Sequence, residues 1–280
     1  MSTTPPQEGR RRRRSRLWLV LLAGLAVLAA IGIVTTRRGG SHTPTTTAPT
    51  EIRLTVPEGM RREDVATLLQ EKTGLSAAAY LAATAPGVRG ERLAGVGRPT
   101  SLEGFLFPDT YFVDKTTTPA DIVNRQLEAY RQNVGGVDMR AAAKKNLTPF
   151  DVLTIASMVE REVKVPSERP VVAGIIYNRL HRRMRLDIDA TVQYAVGAWR
   201  DLTAKDLRVD SPYNTRRFPG LPPGPIASPG LASIEAAAHP KASGYLYYVA
   251  RNDGSGRHYF ATNEAEFQRL QEKAQANGGG

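Results

Sequence analysis

The sequence predicts an α+β protein that carries a single transmembrane helix near its N-terminus. Residues 17–34 form an apolar run without a charge. Residues 148–163 are the clearest of several segments whose apolar side chains recur at three- and four-residue spacing, which predicts helices. Shorter segments such as 52–56 alternate between apolar and polar side chains, which predicts strands. Helices with a few short strands make α+β the expected class.

The apolar run is long enough to cross a membrane. It contains eighteen uncharged residues, and two threonines can extend it to a span of residues 17–36. About 20 residues cross the roughly 30 Å hydrocarbon core of a bilayer. Six arginines precede the run and two follow it, so residues 1–16 are predicted to be an Arg-rich cytoplasmic tail. The bulk of the chain is then expected outside the cytoplasm.

A cleaved signal peptide is the alternative for this segment. Its apolar region is usually about 7–15 residues long and is followed by small residues at the cleavage site. Here the run is longer, and Thr36-Arg37-Arg38 is a poor cleavage site. We therefore expect an uncleaved anchor in the inner (cytoplasmic) membrane, followed by a linker at residues 37–50 that is rich in Gly, Ser, Thr and Pro.

The composition excludes several classes of protein. The net charge is +11, but residues 1–38 hold eight arginines against one acidic residue, Glu8. This basic cluster adjoins the apolar run and is typical of a membrane topology signal, so no nucleic-acid partner is expected. The chain has no cysteine, which excludes disulfides, thiolate zinc sites and cysteine nucleophiles.

A small module is predicted for residues 51–100. Residues 52–56 alternate as a strand, residues 63–72 and 76–83 form two short helices, and residues 87–100 form a loop rich in Gly and Arg. A strand followed by two short helices is similar to the LysM-like fold, which binds glycans. The alternative is a packing module without a ligand.

The next segment leads into the centre of the fold. Residues 101–113 are aromatic, and Pro108 and Asp109 predict a turn between two apolar strands. Residues 119–132 have apolar side chains at helical spacing, and residues 138–145 predict a short connecting helix.

A central helix is predicted to begin after Thr148. Threonine is a good N-cap, and proline at the first helical position loses no hydrogen bond. Asp151 lies three residues past the cap, where its charge suits the positive end of the helix. Val152, Val159 and Val163 mark the middle of the buried stripe.

Glu160 and Glu162 lie at opposite borders of that stripe, each about 80° from its centre. Partial burial raises the pKa of a carboxyl group while leaving its proton deliverable, as a general acid requires. The alternative is that each glutamate is a solvated charge beside Arg161 or Lys164. Helix periodicity does not choose between the two.

The remaining elements follow in order. Residues 168–181 and 231–238 predict helices, residues 245–250 and 258–260 predict a hairpin, and residues 264–276 predict a closing helix.

Two stretches between these elements suggest a site. Asp187 and Asp189 would share one side of an extended segment, where two carboxylates could hold a cation. No calcium-loop pattern surrounds them, however, so we do not expect a metal site there. Residues 211–230 contain six prolines and three glycines, too many for a helix or a central strand. A long ordered loop of this kind is usually functional.

Familiar catalytic motifs are missing. The sequence has no G-x-S-x-G elbow, no H-E-x-x-H pair and no glycine-rich phosphate loop, and its four histidines are scattered. We expect no metal ion and no cofactor. The catalytic group that remains is a carboxyl acid in a region rich in Tyr, Asn and Gly loops. Such a site suits a sugar polymer, which is bound by stacking and neutral hydrogen bonds, so we expect cleavage of a glycan.

Several motifs resemble one family. The chain is similar to the MltG (YceG-like) endolytic murein transglycosylases in a series of motifs that occur in order between residues 101 and 240. The matching segments are S-L-E-G-F-L-F-P-D-T-Y at 101–111, I-A-S-M-V-E-R-E at 155–162, V-A-G-I-I-Y-N-R-L and M-R-L-D-I-D-A-T-V-Q-Y within 172–194, S-P-Y-N-T at 211–215, G-L-P-P-G-P-I-A-S-P-G at 220–230 and A-A-A-H-P at 236–240.

The resemblance implies that residues 101–276 form a transglycosylase domain with Glu160, the first Glu of V-E-x-E, as its catalytic acid. The implied reaction cuts the β-1,4 bond between N-acetylmuramic acid and N-acetylglucosamine and leaves a 1,6-anhydro end. One carboxyl group can serve such a lyase, whereas glycoside hydrolysis normally uses two.

The resemblance also suggests cleft residues: Asn178, Asp189, Tyr213 and Asn214. For each, the alternative is a hydrogen bond that holds a loop or helix. The implied partners are peptidoglycan glycan strands, the cell membrane and peptidoglycan synthases. A glycan-binding scaffold and a soluble hydrolase are the competing interpretations.

Two features depart from the family pattern. The LysM-like region is shorter than is usual in the family. Phe267 stands where the family often has a histidine.

Overall fold

The computed structural model describes residues 51–85 and 101–278, all within one compact unit. The helices in this part of the chain are α1 (Arg62–Thr73), α2 (Ala77–Ala83), α3 (Pro119–Val134), α4 (Arg140–Ala143), α5 (Pro149–Glu162), α6 (Arg169–His181), α7 (Asp189–Val196), α8 (Leu231–Ala238) and α9 (Glu264–Asn277). The strands are β1 (Ile52–Thr55), β2 (Thr110–Val113), β3 (Tyr247–Ala250) and β4 (His258–Ala261). Two 3-10 turns lie at Pro166–Glu168 and Asp206–Arg208.

The α+β class is confirmed. Helices dominate, and the strands form two antiparallel pairs, β1 with β2 and β3 with β4. The predicted tail, transmembrane span and linker at residues 1–50 lie outside the described residues, as does the loop at 87–100. Within the described ranges, each helix is too short or too polar to cross a bilayer.

The β1–β2 pair links the two described segments. Ile52 lies opposite Val113 and Thr55 opposite Thr110, with α1 and α2 between the strands in sequence. The result is a strand–helix–helix–strand unit whose last strand lies beyond the predicted module boundary at residue 100. Leu54 and Val56 from this unit contribute to the core that also surrounds α5.

One predicted strand is wrong. The first half of the 101–113 segment forms turns, and only β2 is a strand. Gly104 adopts a left-handed backbone with φ +83°, and the N–H of Phe105 closes a turn onto the carbonyl of Leu102. The apolar side chains are buried all the same, so hydrophobic content alone suggested a strand where a compact turn forms.

Helix α5 lies at the centre of the core. Thr148 and Asp151 form the predicted capping box, with the Thr148 Oγ1 accepting from the Asp151 N–H at 3.2 Å. Every residue from Val152 to Val159 is buried, so the helix is enclosed on all sides rather than along one stripe. It ends at Glu162, because Val163 is extended, so the last valine of the predicted stripe lies just beyond the helix.

The long loop at residues 211–230 is ordered and contains no helix or strand, as predicted. Its backbone reaches α5, since the Ile226 N–H donates to the Ser157 Oγ at 3.0 Å. It also reaches the β1–α1 turn, where Ser228 exchanges backbone hydrogen bonds with Gly59 and Met60. The β3–β4 hairpin and most of the remaining helices lie where the sequence predicts them. Helix α7 was not predicted, because the segment that contains Asp187 and Asp189 was treated as extended.

Candidate active site

A polar cleft of about 610 Å³ opens beside the C-terminal end of α5. Its walls come from the segment between α6 and α7, the β3–β4 hairpin and the start of α9. The side chains that matter for chemistry are Glu162, Arg179, Asp189, Arg216, Tyr248 and His258. They come from six separate parts of the chain, which the packing around α5 brings together.

Glu162 presents the acid group of the cleft. It is the last residue of α5, and its side chain is half-buried. Burial raises the pKa of Glu162 above its ordinary value, and Asp189 adds to the shift, while hydrogen bonds from Tyr248 and the Ala190 backbone oppose it. The Tyr248 hydroxyl donates to the Glu162 Oε2 at 3.0 Å. A carboxyl group of this kind can hold a proton and release it to a substrate in the cleft.

Glu160 faces the other side of α5. Two residues correspond to about 200° around a helix, so the two glutamates cannot share a surface. The Glu160 side chain is only 8% exposed and does not line the cleft. Its Oε2 accepts from the Gly230 N–H at 3.1 Å, and its Oε1 lies 3.5 Å from an Arg169 Nη2. These contacts hold the end of the long loop against α5.

Of the four predicted binding residues, Asp189 lines the cleft. It begins α7, and its Oδ1 accepts from the Arg216 Nε at 2.6 Å. The preceding Asp187 takes a left-handed backbone with φ +53°, so the two aspartates do not lie on one extended strand. The Asp187 Oδ2 pairs instead with the buried Arg179 at 3.3 Å.

The other three predicted residues hold structure together outside the cleft lining. The Asn178 Nδ2 donates to the carbonyls of Ser243 and Tyr245, at 2.9 and 2.8 Å. Asn214 is fully buried, and its Nδ2 donates to two carbonyls near the second 3-10 turn. Tyr213 packs on Tyr194, with 4.7 Å between ring centroids.

Asn214 nevertheless bears on the cleft. Its Oδ1 accepts from the backbone N–H of Arg216 at 3.1 Å, which places that arginine beside Asp189. For Asn178, Tyr213 and Asn214 the geometry thus agrees with the alternative that the sequence left open, a hydrogen bond or packing contact that fixes a loop or helix.

Sequence reasoning missed Tyr248, His258 and their partner Glu168. The Nδ1 of His258 lies 2.8 Å from the Glu168 Oε2, and both side chains are buried. These residues are 90 positions apart, so no local pattern joins them. The sequence held one indication, since the alternation of side chains along β4 could have predicted that His258 points into the protein.

Phe267 lies at the rim of the same cleft. Its ring stacks on Tyr247 with 5.1 Å between centroids and an interplanar angle of 21°. An apolar, uncharged ring therefore occupies the position at which the resemblance expects a histidine.

The described residues contain no group of three or more His, Cys, Asp or Glu side chains arranged to hold a metal ion. The chemistry that the cleft itself presents is that of one half-buried carboxyl group with a raised pKa, surrounded by hydroxyl, guanidinium and carboxylate groups. Fold and site together define an α+β protein equipped for acid–base chemistry on a polar substrate.

Comparison with known proteins identifies the family. The model of the YceG-like family matches residues 37–273, which is most of the chain. The chain belongs to the YceG-like family.

Two relatives carry the name endolytic murein transglycosylase. The protein from Bacillus subtilis (strain 168) is 42% identical over 156 residues, which are 55% of this chain and 43% of that protein. The protein from Streptococcus pneumoniae (strain ATCC BAA-255 / R6) is 33% identical over 257 residues, which are 83% of this chain and 46% of that protein. The chain therefore spans less than half the length of these curated relatives.

The fold matches a solved structure. The crystal structure of a YceG-like protein, lmo1499, from Listeria monocytogenes superposes with a TM-score of 0.68 at 32% sequence identity. The match covers 78% of this chain and 76% of that one. Its coverage includes most of the described residues, so the α+β arrangement is shared with an experimentally determined relative.

Proposed function

We propose that this protein is an endolytic peptidoglycan lytic transglycosylase with Glu162 as its acid. The observation that carries the proposal is the half-buried Glu162 carboxyl group, which has a raised pKa and faces a polar cleft. Membership of the YceG-like family, and relatives named endolytic murein transglycosylase, indicate the substrate and reaction.

The reaction needs one carboxyl group that acts twice. Protonated Glu162 gives its proton to the glycosidic oxygen between N-acetylmuramic acid and N-acetylglucosamine as the C1–O bond breaks. The Glu162 carboxylate then takes the proton from the muramic 6-hydroxyl, whose oxygen bonds to C1. The products are an N-acetylglucosamine end and a 1,6-anhydromuramic end, with no water consumed and Glu162 protonated again. Cuts within nascent strands would terminate their elongation.

The geometry supports Glu162 over Glu160 for this role. The family motif led the sequence to predict Glu160, and that assignment stays a prediction. Against it stand the ion pair of Glu160 with Arg169, its hydrogen bond from the Gly230 N–H and its position outside the cleft lining.

Asp189 and Arg216 are the proposed contacts for the substrate. Both line the cleft close to Glu162, and their side chains are well exposed. Carboxylate and guanidinium groups can hydrogen-bond the hydroxyl and amide groups of the sugars. Asn178, Tyr213 and Asn214 support the loops behind these contacts.

The setting of the enzyme is part of the proposal. Residues 17–36 would anchor it in the inner membrane as a single-pass protein, with the N-terminus in the cytoplasm and the cleft outside. Peptidoglycan synthases would then be neighbours that make the strands it cuts. The strand–helix–helix–strand unit that contains β1 and β2 would act as the LysM-like part of the chain.

The test is mass spectrometry of purified peptidoglycan after digestion by the full-length protein, by Glu162→Gln and by Glu160→Gln. We expect internal cuts that end in 1,6-anhydromuramic acid from the wild type, and a loss of about 10²-fold or more for Glu162→Gln. Glu160→Gln is the matched comparison, and circular dichroism checks that both variants are folded.

Each outcome has a distinct meaning. An inactive Glu160→Gln beside an active Glu162→Gln, both folded, would restore the assignment made from the sequence motif. Reducing ends would indicate a hydrolase, and binding without cleavage by the wild type would indicate a scaffold.

A further inference from the structure

A chain of polar side chains runs from the buried Glu168 and His258 through the half-buried Tyr248 to the half-buried Glu162. Glu168 ends the 3-10 turn before α6, His258 begins β4, and Tyr248 lies on β3. Each member contacts the next, and the last contact is on the carboxyl group of the proposed acid. The mechanism above uses only Glu162, so the other three require an explanation.

Glu168 fixes the His258 ring. The two side chains are 5% and 7% exposed, and the ring Nδ1 lies 2.8 Å from the Glu168 Oε2. The backbone N–H of His258 also donates to both Glu168 oxygens, each at 3.2 Å. One carboxyl group therefore binds the main chain and the ring of the same residue, which leaves the imidazole little freedom to turn.

His258 in turn holds the ring of Tyr248. The two rings meet edge to face, with centroids 5.4 Å apart and an interplanar angle of 83°. This arrangement is favourable for aromatic pairs. Because the rings come from paired strands, with Ala250 opposite His258, any movement of the histidine ring changes the space left for Tyr248.

The Tyr248 hydroxyl then reaches Glu162. It donates to the Glu162 Oε2 at 3.0 Å. Burial and the neighbouring Glu162 raise the pKa of Tyr248 well above its ordinary value, so the hydroxyl keeps its proton at any working pH. A permanent donor on one carboxyl oxygen restricts the rotation of the carboxyl group and stabilises its charged form.

We propose that Tyr248 is a second functional group of the acid site, and that Glu168 and His258 are positioning residues that act through it. The inference rests on the proposed role of Glu162. Tyr248 keeps its own proton throughout, while its hydrogen bond strengthens when Glu162 becomes a carboxylate after protonating the leaving oxygen. It thereby assists the first half of the reaction, in which Glu162 gives its proton to the leaving glycosidic oxygen and becomes charged.

Tyr248→Phe tests the hydroxyl while keeping the ring that packs on His258. We expect the rate of anhydromuramic product formation by the full-length protein to fall roughly tenfold or more, which corresponds to one hydrogen bond to a charged group. The alkaline limb of the pH–rate profile should move to higher pH, because the charged form of Glu162 has lost a donor. Asp189 from α7, Arg179 from α6 and His258 from β4 also face Glu162 and are unchanged in this variant.

Tyr259→Phe is the matched control. Tyr259 follows His258 on β4, but its hydroxyl contacts Asn277 of α9 at 3.4 Å and it does not line the cleft. We expect its rate and its pH profile to match those of the wild type.

A double-mutant cycle tests the positioning role. Glu168→Gln should lower the rate and move the alkaline limb in the same direction as Tyr248→Phe, by a smaller amount. In the double variant, Glu168→Gln should lower the rate little below that of Tyr248→Phe alone, because the effect of Glu168 is transmitted through the Tyr248 hydroxyl, which is then missing. Full additivity of the two losses, with no movement of the pH limb in either, would show a purely structural role and overturn the inference.

The test separates this inference from the proposed function. If Glu162→Gln is inactive while Tyr248→Phe keeps the wild-type rate and pH profile, the inference fails and the proposed function stands. If Glu162→Gln retains activity, both fail. Should Tyr248→Phe not fold, Glu168→Gln and its pH profile decide the question alone.

Discussion

At the scale of single residues, Glu103 is a carboxyl group that the fold buries outside the cleft. Its side chain is 2% exposed, and its Oε2 accepts from the Arg62 backbone N–H at 3.3 Å. Burial raises the pKa of Glu103 to about 8, and the nearby charge of Glu63 adds to the shift. The folded protein therefore binds a proton here that the unfolded chain, with an ordinary glutamate pKa near 4.5, has already released.

Glu103 should make the stability of the protein depend on pH. Its folded pKa is raised, so the stabilisation is complete below about pH 4.5 and is lost as the pH rises towards about 8. Glu103→Gln keeps a neutral hydrogen-bonding group and should flatten this dependence. Urea unfolding of both proteins at pH 5 and pH 8.5 measures it; equal slopes of unfolding free energy against pH would contradict the assignment.

At the scale of elements, α6 depends on a close approach to another part of the backbone. A Cβ atom on Gly174 would lie 2.3 Å from the Lys241 carbonyl oxygen. The Lys241 N–H also donates to the Pro170 carbonyl at 2.8 Å, which holds that segment against the helix. The helix carries Asn178 and Arg179, so this contact sets the position of one wall of the cleft.

Gly174→Ala should separate α6 from this segment. The added methyl group meets backbone rather than a flexible side chain, so we expect the free energy of unfolding to fall by about 1–3 kcal/mol. Gly136→Ala is the control, because nothing lies within 4 Å of its Cβ position, and it should change stability by less than about 0.5 kcal/mol. Urea denaturation compares the free energies of unfolding of the two variants. An equal loss in both would show that the close approach of Gly174 to the Lys241 backbone does not require a glycine.

At the scale of the whole described unit, the N-terminal segment is part of the same core as the cleft. Residues 51–85 are joined to β2 by β1 and to the long loop by Gly59 and Met60. Arg161 reinforces the junction, since its Nη1 donates to the Gly59 carbonyl at 3.2 Å and its guanidinium lies 3.9 Å from the Trp199 ring centroid.

Removal of residues 1–100 should prevent folding of the rest. It would expose the core side chains that contact β1 and α1, and leave the buried Gln126 without its 2.6 Å hydrogen bond from Tyr80. We expect the 101–280 fragment to show no cooperative thermal unfolding by circular dichroism, whereas a fragment of residues 39–280 should unfold cooperatively. A cooperative transition in the shorter fragment would show instead that the transglycosylase region folds independently.

The sequence predicted those parts of the fold that depend on interactions between residues close together in the chain. Helix α5, its Thr148–Asp151 cap and the β3–β4 hairpin depend on residues close in sequence, so periodicity and turn residues predicted them. The turn at Gly104 was missed because buried apolar side chains look alike in a strand and in a compact turn. The Glu168–His258 contact was out of reach because its partners lie 90 residues apart.

The sequence by itself determined the family of the protein, the α+β class and a helix that ends with two carboxyl groups. Only the tertiary structure decided which of them faces a cleft. Both glutamates lie at a border of the buried helical stripe, at the same angle from its centre, so helix periodicity does not distinguish between them. The difference arises from what packs on each side: the Gly230 N–H and Arg169 enclose Glu160, whereas Tyr248 and an open, polar cleft meet Glu162.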